Sequence, residues 1–381
     1  KFVQRHTHSK TWEWVATTLS IFIAVCVWAG FNFLVLLDQR AEMRAAGDSP
    51  AVIASTLSVY ALLAVLIFMT IYLIAVSALP SYFAEYIPET LGFVTVWAHV
   101  VGFALMNHIA YTQDYFVALW SEEDSSSYWI FCIAALVWAV YVLLTYSSLW
   151  IVYKVIMAGC ITKDRIDGED LVEYESGHIH LESPYHALQV HLEEFDDEVG
   201  GLALSYTLLR AVCSAITGAL PEVFQVTGVE KSYPQIGSLI LFGVACAVIA
   251  AIIHALEYPC TGSHHGLAYS TTFMTFLTAF TFLQAIRWSS YTNDPTTQHS
   301  LYSHINFGFL TSYLGLAFNL IWYEGCPQAF TDFMQEIGEI FAILAAFTWE
   351  LSLDIMLEQA NLLNQGSVWN HVYDSIFIFI L

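Results

Sequence analysis

The sequence predicts an all-α, multi-pass transmembrane helical bundle of about nine spans, and three observations carry that reading. First, 57% of the 381 residues are hydrophobic and only 12% are charged, more apolar surface than a water-soluble domain can hide. Second, the apolar residues fall into runs of roughly 20, the length that crosses a hydrocarbon core. Third, Trp and Tyr gather at the ends of those runs, as at Trp12, Trp14, Trp120, Trp129, Trp150 and Trp322. Amphipathic rings collect at that depth in a bilayer.

The nine runs are Trp14–Leu37, Val52–Leu79, Leu91–Tyr111, Trp129–Ile156, Val199–Leu220, Ile236–Leu256, Leu267–Arg287, Ile305–Trp322 and Ile337–Leu357. A shorter apolar stretch, Val368–Leu381, reads as an interfacial segment or a span cut short. The first run is too long for the core of a signal peptide. A chain that opens on Lys1 rather than Met is expected to be a trimmed or processed form.

Between the fourth and fifth runs lies a hydrophilic break, 161–198, with 12 acidic residues against Lys163 and Arg165. Ser183-Pro184 is a good helix entry, with Ser as N-cap and Pro in the first turn. Tyr185, Leu188, Leu192 and Phe195 then recur at helical spacing, opposite His186, Gln189, Glu193, Asp196 and Asp197. Surface helices that lie on membranes are usually basic. This one is acidic, which favours docking on protein.

Two segments resemble each other at an offset of 180 residues: Tyr111-Thr112-Gln113-Asp114 and Tyr291-Thr292-Asn293-Asp294. The second and sixth runs both end near a proline, Pro80 and Pro259, and Glu13 matches Glu193 at the same offset. The expected organisation is a tandem parallel repeat of two four-helix units plus one helix. It comprises a first membrane unit over 12–160, the acidic loop with its amphipathic helix over 161–198, a second unit over 199–324, and the ninth helix with a C-terminal interfacial segment over 330–381. Repeat-built transporters bind substrate between their units.

The net charge of −23, from 11 basic and 34 acidic residues, argues against nucleic acid and against a polybasic membrane anchor. It allows cations or basic protein surfaces as partners. Six basic residues on the amino-terminal side (Lys1, Arg5, Lys10, Lys154, Lys163, Arg165) stand against four on the other (Arg40, Arg44, Lys231, Arg287). The positive-inside rule then places the amino terminus and the acidic loop in the cytoplasm. The seven cysteines show no CxxC pair, and Cys26, Cys132, Cys213 and Cys246 sit in apolar runs. Neither a disulfide framework nor a zinc site is expected.

Ionisable residues inside spans cost about 2.5–3.5 kcal/mol on insertion scales and therefore need a reason. Arg210 lies near the middle of the fifth run, and a guanidinium keeps its proton. On the ninth run Glu336, Glu339, Glu350 and Asp354 fall in one sector about 60° wide at ~100° per residue, with Ile343 and Phe347 between the two acidic pairs. Arg210 and Glu350 lie at matching depths, so they are expected to pair or to share a polar network. Two readings follow: a cation or proton path with an apolar constriction at Phe347, or a structural ion pair in a helix whose acids lie at its wet ends.

Histidines form the third set. His99, Asn107 and His108 line the third run, and His254, His264 and His265 cluster around the end of the sixth. A proton path, a haem site and a di-iron site built on His186-x4-His191 and His299-x4-His304 compete here. The last two boxes fall on opposite sides of the membrane in this topology. No GxGxxG, P-loop, HExxH or Gly-x-Ser-x-Gly occurs, and no arginine ladder marks a voltage sensor. No enzyme and no cofactor is therefore expected.

The function that fits is a channel or transporter for protons or small cations, using a polar path between helix units. Arg210, Glu350, Asp354, Glu339 and Glu336 form its axis, with His99, Asn107 and His108 as lining residues. Its partners are membrane lipids and the ions, with no nucleic acid, in a homo-oligomer or a larger membrane complex. The alternatives are a non-catalytic subunit of a larger membrane assembly and a haem or di-iron redox protein.

Overall fold

A computed structural model describes residues 2–82, 87–121, 126–159, 184–221, 231–257, 265–293, 301–321, 337–349 and 352. Among them every regular element is a helix and no strand occurs. The elements are α1 (Phe2–Phe31), a π-helical turn (Asn32–Leu37), α2 (Asp38–Ala46), α3 (Pro50–Tyr82), α4 (Ile87–Trp120) and α5 (Ser127–Gly159). After the acidic stretch come α6 (Pro184–Thr217), α7 (Tyr233–Glu257), α8 (His265–Asn293) and α9 (Leu301–Ile321), followed by a short apolar helix, α10 (Ile337–Trp349).

Local chemistry sets the visible ends. Gly47, at φ 82°, closes α2 in the left-handed region that only glycine enters without strain. Its N–H reaches the Arg44 carbonyl and that of Asp48 reaches Met43, the pairing of a Schellman cap. Ser232 starts α7 as a capping box: its backbone N–H donates to Gln235 Oε1 at 2.9 Å. The amphipathic segment and the fifth apolar run are one continuous helix, α6, of 34 residues. The boundary drawn at 198 therefore falls inside a helix.

Packing pairs fix direction. Along α4 and α6 the contacts climb together, from His99 with Glu198 to Asp114 with Arg210. On α8 and α6 they climb from Gly200 beside Tyr269 to Tyr206 beside Phe280. Phe347 of α10 meets both Phe103 and Phe280. Helices α4, α6, α8 and α10 thus run in parallel, with α1 packed alongside α4. Helix α3 runs antiparallel to α4: Ser58 meets His108, while Tyr72 clusters with Ala98. Helix α5 likewise opposes α6, α7 opposes α8, and α9 opposes α10.

The pairings occur in matched sets. As α3 packs on α4, α7 packs on α8; as α1 packs on α4, α6 packs on α8; as α5 packs on α6, α9 packs on α1. Close approach of α6 to α8 depends on Gly200, where a Cβ would stand 2.6 Å from the Tyr269 hydroxyl.

Four described stretches are long and apolar enough to cross a membrane: Pro50–Ile74, Ser127–Ser147, Asp197–Thr217 and Tyr233–Ile253. Thr18–Phe31, Ile305–Phe318 and Ile337–Trp349 are shorter apolar helices. Helices α4 and α8 are missing from this set because they carry the polar interior: His99, Asn107, Gln113, Thr275, Thr278 and Thr281 are all buried. The outer helices are the reverse. Leu143 on α5, Leu66 on α3 and Leu241 on α7 are exposed, on helix faces that only a lipid-like surrounding would solvate well.

Candidate functional site

The side chains of α4 sort into levels. One turn is about 5.4 Å, so His99, Phe103 and Asn107 rise along one side of the helix at nearly one-turn steps. The carbonyl of Ala110 and the side chains of Gln113 and Asp114 lie one to two turns beyond.

At the His99 level the parallel helices enclose a cavity of about 180 Å³. Its wall includes Asp197 and Glu198 of α6, Glu339 of α10, Thr272 and Thr275 of α8, and His99. Ile21, Phe276 and Ile343 supply the apolar part. His99 is only 1% exposed. Its Nδ1 lies 2.8 Å from the Thr95 carbonyl and 3.2 Å from Glu198 Oε2. Both neighbours are acceptors, so Nδ1 carries the ring proton. Three carboxylates and one buried imidazole thus line the same cavity, and among the described residues no guanidinium or ammonium lines it.

The next level is apolar. Phe347 makes edge contacts with Phe103 at 5.8 Å and with Phe280 at 5.2 Å between ring centroids. Three helices each contribute one ring, and Phe347 is the residue at which the sequence placed a constriction.

Above it stands Asn107, fully buried, with neither Oδ1 nor Nδ2 hydrogen-bonded. His108 faces outward between α3 and α5. Its Nδ1 lies 2.9 Å from the Ser58 carbonyl, which assigns it the proton, and the Tyr141 hydroxyl donates to Nε2 at 2.7 Å. Ser58 Oγ is also 3.0 Å from Nδ1. A protonated Nδ1 cannot act as a base toward that hydroxyl, so the pair is no nucleophilic dyad. Thr112 and Ser58 close the cluster through a hydroxyl contact of 2.9 Å, pinning α3, α4 and α5 together.

At the far level Arg210 is 1% exposed, and all five of its N–H groups are used. Nε and Nη2 donate to the Pro221 carbonyl at 3.1 and 2.7 Å. Nη1 donates to the Ala110 carbonyl at 2.7 Å and to Gln113 Oε1 at 3.2 Å. Nη2 also donates to Asp114 Oδ1 at 2.7 Å, forming an ion pair. Gln113 Nε2 in turn donates to the carbonyls of Ala134 and Thr207. One guanidinium and one amide tie α4, α5, α6 and the segment after α6.

The structure therefore brings together His99 and Glu339, two residues expected on the path, and sets Arg210 at a separate level. Glu350, expected to pair with Arg210, lies outside the described residues, as do Glu336 and Asp354. Among the described residues Arg210 donates to Asp114, Gln113 and backbone. Sequence reasoning missed Asp197 and Glu198 as cavity residues because they read as the wet end of an amphipathic helix. It also missed Asp114 as the counter-charge. The signal was present: Gln113-Asp114 stood in the repeated motif, at the depth that Arg210 reaches on a parallel helix.

The histidine boxes at 186–191 and 299–304 have no described side chains, nor do His254, His264 and His265. Among the described residues no three of His, Cys, Asp and Glu converge as metal ligands. The cavity carboxylates face a shared volume without closing on a point. Such an arrangement suits a proton or a hydrated cation better than a bare metal ion. Compared with protein-family models, with curated proteins and with solved structures, the chain matches none.

Proposed function

We propose that this chain is an integral membrane protein of nine spans that moves protons or small cations along a polar path between two four-helix units. The observation that carries the reading is the cavity lined by Asp197, Glu198, Glu339 and buried His99, with Glu198 3.2 Å from the imidazole. Its walls come from α1 and α4 of the first unit, α6 and α8 of the second, and α10, the place where repeat-built transporters bind substrate. Matched pairing of α3–α4 with α7–α8, and of α5–α6 with α9–α1, supports a parallel tandem arrangement. The exposed apolar faces of α3, α5 and α7 support lipid contact.

The cavity is the loading site. Clustered carboxylates raise the local cation concentration, and His99 adds an imidazole that can bind and release a proton. The ring layer at Phe103, Phe280 and Phe347 is the barrier that separates the cavity from the Arg210 level. With the amino terminus cytoplasmic, the cavity opens toward the cytoplasm. The test is flux in liposomes containing the purified chain. Imposed pH and alkali-cation gradients should dissipate faster than in protein-free liposomes, and Glu198→Gln should remove the difference. Equal rates with and without protein would end this reading.

A further inference from the structure

Asn107 is the one described side chain whose carboxamide is buried completely while its donor and its acceptor both lack partners. Leaving such a group bare carries the full desolvation penalty of each unsatisfied atom. Apolar residues of similar size would fill the same space without that cost. The chain nevertheless places an amide on α4, about two turns from His99 at 1.5 Å per residue and just past the Phe103–Phe347 contact.

The chemistry of the two bare atoms restricts what meets them. A desolvated metal cation satisfies Oδ1 and leaves Nδ2 unpaired. An anion does the reverse. Water both donates and accepts, so it satisfies the whole amide. We propose that Asn107 holds an internal water between the ring layer and the Arg210 level, and that this water is a station for protons on the path. A water there takes up a proton on one side and releases another on the other, so charge crosses without a dehydrated ion. This rests on the proposed transport function and narrows its substrate from small cations to protons.

Asn107→Leu replaces both polar atoms with methyl groups on the same branched skeleton. The expected result is an unchanged or higher melting temperature together with loss of most proton flux. Asn107→Ser, which keeps one donor and one acceptor, should recover part of that flux. Radiolytic hydroxyl-radical labelling in isotope-labelled water supplies a readout independent of transport. Met106, fully buried beside Asn107, should take up label in the wild type and several-fold less in Asn107→Leu. Proton flux that survives Asn107→Leu, or equal labelling of Met106 in both proteins, overturns the proposal. Wild-type liposomes without any flux would instead end the transport reading, and the labelling arm would still decide whether water sits at Asn107.

Discussion

The two ends of the inner helix set handle buried charge in opposite ways. At the Arg210 end one cation meets one carboxylate, one amide and two backbone carbonyls, and every guanidinium donor is used. At the His99 end three carboxylates and one imidazole share a cavity, with no described cation among them. A saturated network is rigid and has nothing left to offer a ligand. An under-compensated one stores affinity for positive charge. The difference gives Arg210 the contacts of a clamp and leaves the cavity without a described counter-cation, although sequence alone placed both on one axis.

The largest expected effect breaks the saturated end. Arg210→Ala leaves Asp114 and Gln113 without their shared donor; breaking a fully buried pair costs about 3–5 kcal/mol, and the partial exposure of Asp114 keeps the loss below that. The variant should be poorly recovered from membranes and unfold well below the wild type, as read by a thermal melt in detergent. Asp114→Asn, which keeps an acceptor oxygen, should lose less. A melt of Arg210→Ala that overlays the wild type would remove the clamp.

Next comes helix packing near the cavity. Gly200→Val forces a side chain into the Tyr269 ring, and overpacking costs about 1–3 kcal/mol. The same variant should regain stability when Tyr269 is cut to Ala, and a double-mutant cycle measures that coupling. Additive losses would mean that α6 and α8 do not meet there.

The smallest expected effect falls on the outer cluster. Tyr141→Phe removes one hydrogen bond to His108, worth about 1 kcal/mol. Flux per folded molecule should stay level, because His108 lies between α3 and α5 rather than in the cavity. A flux loss without a stability loss would move His108 onto the path.

Much of this fold was legible in the sequence. Apolar runs of membrane length coincide with helices, and α6 begins at Pro184, where the sequence set the helix entry. The side of each helix that turns inward was partly legible too. Glu339, Ile343 and Phe347 share a sector on α10, and the described structure turns all three toward the cavity or the ring layer above it. What stayed hidden depended on partners distant in sequence. Asp114 answers Arg210 across 96 positions, a relation that periodicity does not encode. Asp197 and Glu198 looked like a solvated helix start, and only the packing of α1, α4, α8 and α10 around them makes a cavity.

The central claim is that the acidic cavity, and not the Arg210 clamp, handles the ion. It is tested most directly by flux and melting temperature measured together on Glu198→Gln, Glu339→Gln and Asp114→Asn in liposomes. The two cavity variants should keep their melting temperature and lose transport. Asp114→Asn should lose melting temperature and keep transport per folded molecule. Cavity variants that transport at the wild-type rate would contradict that claim.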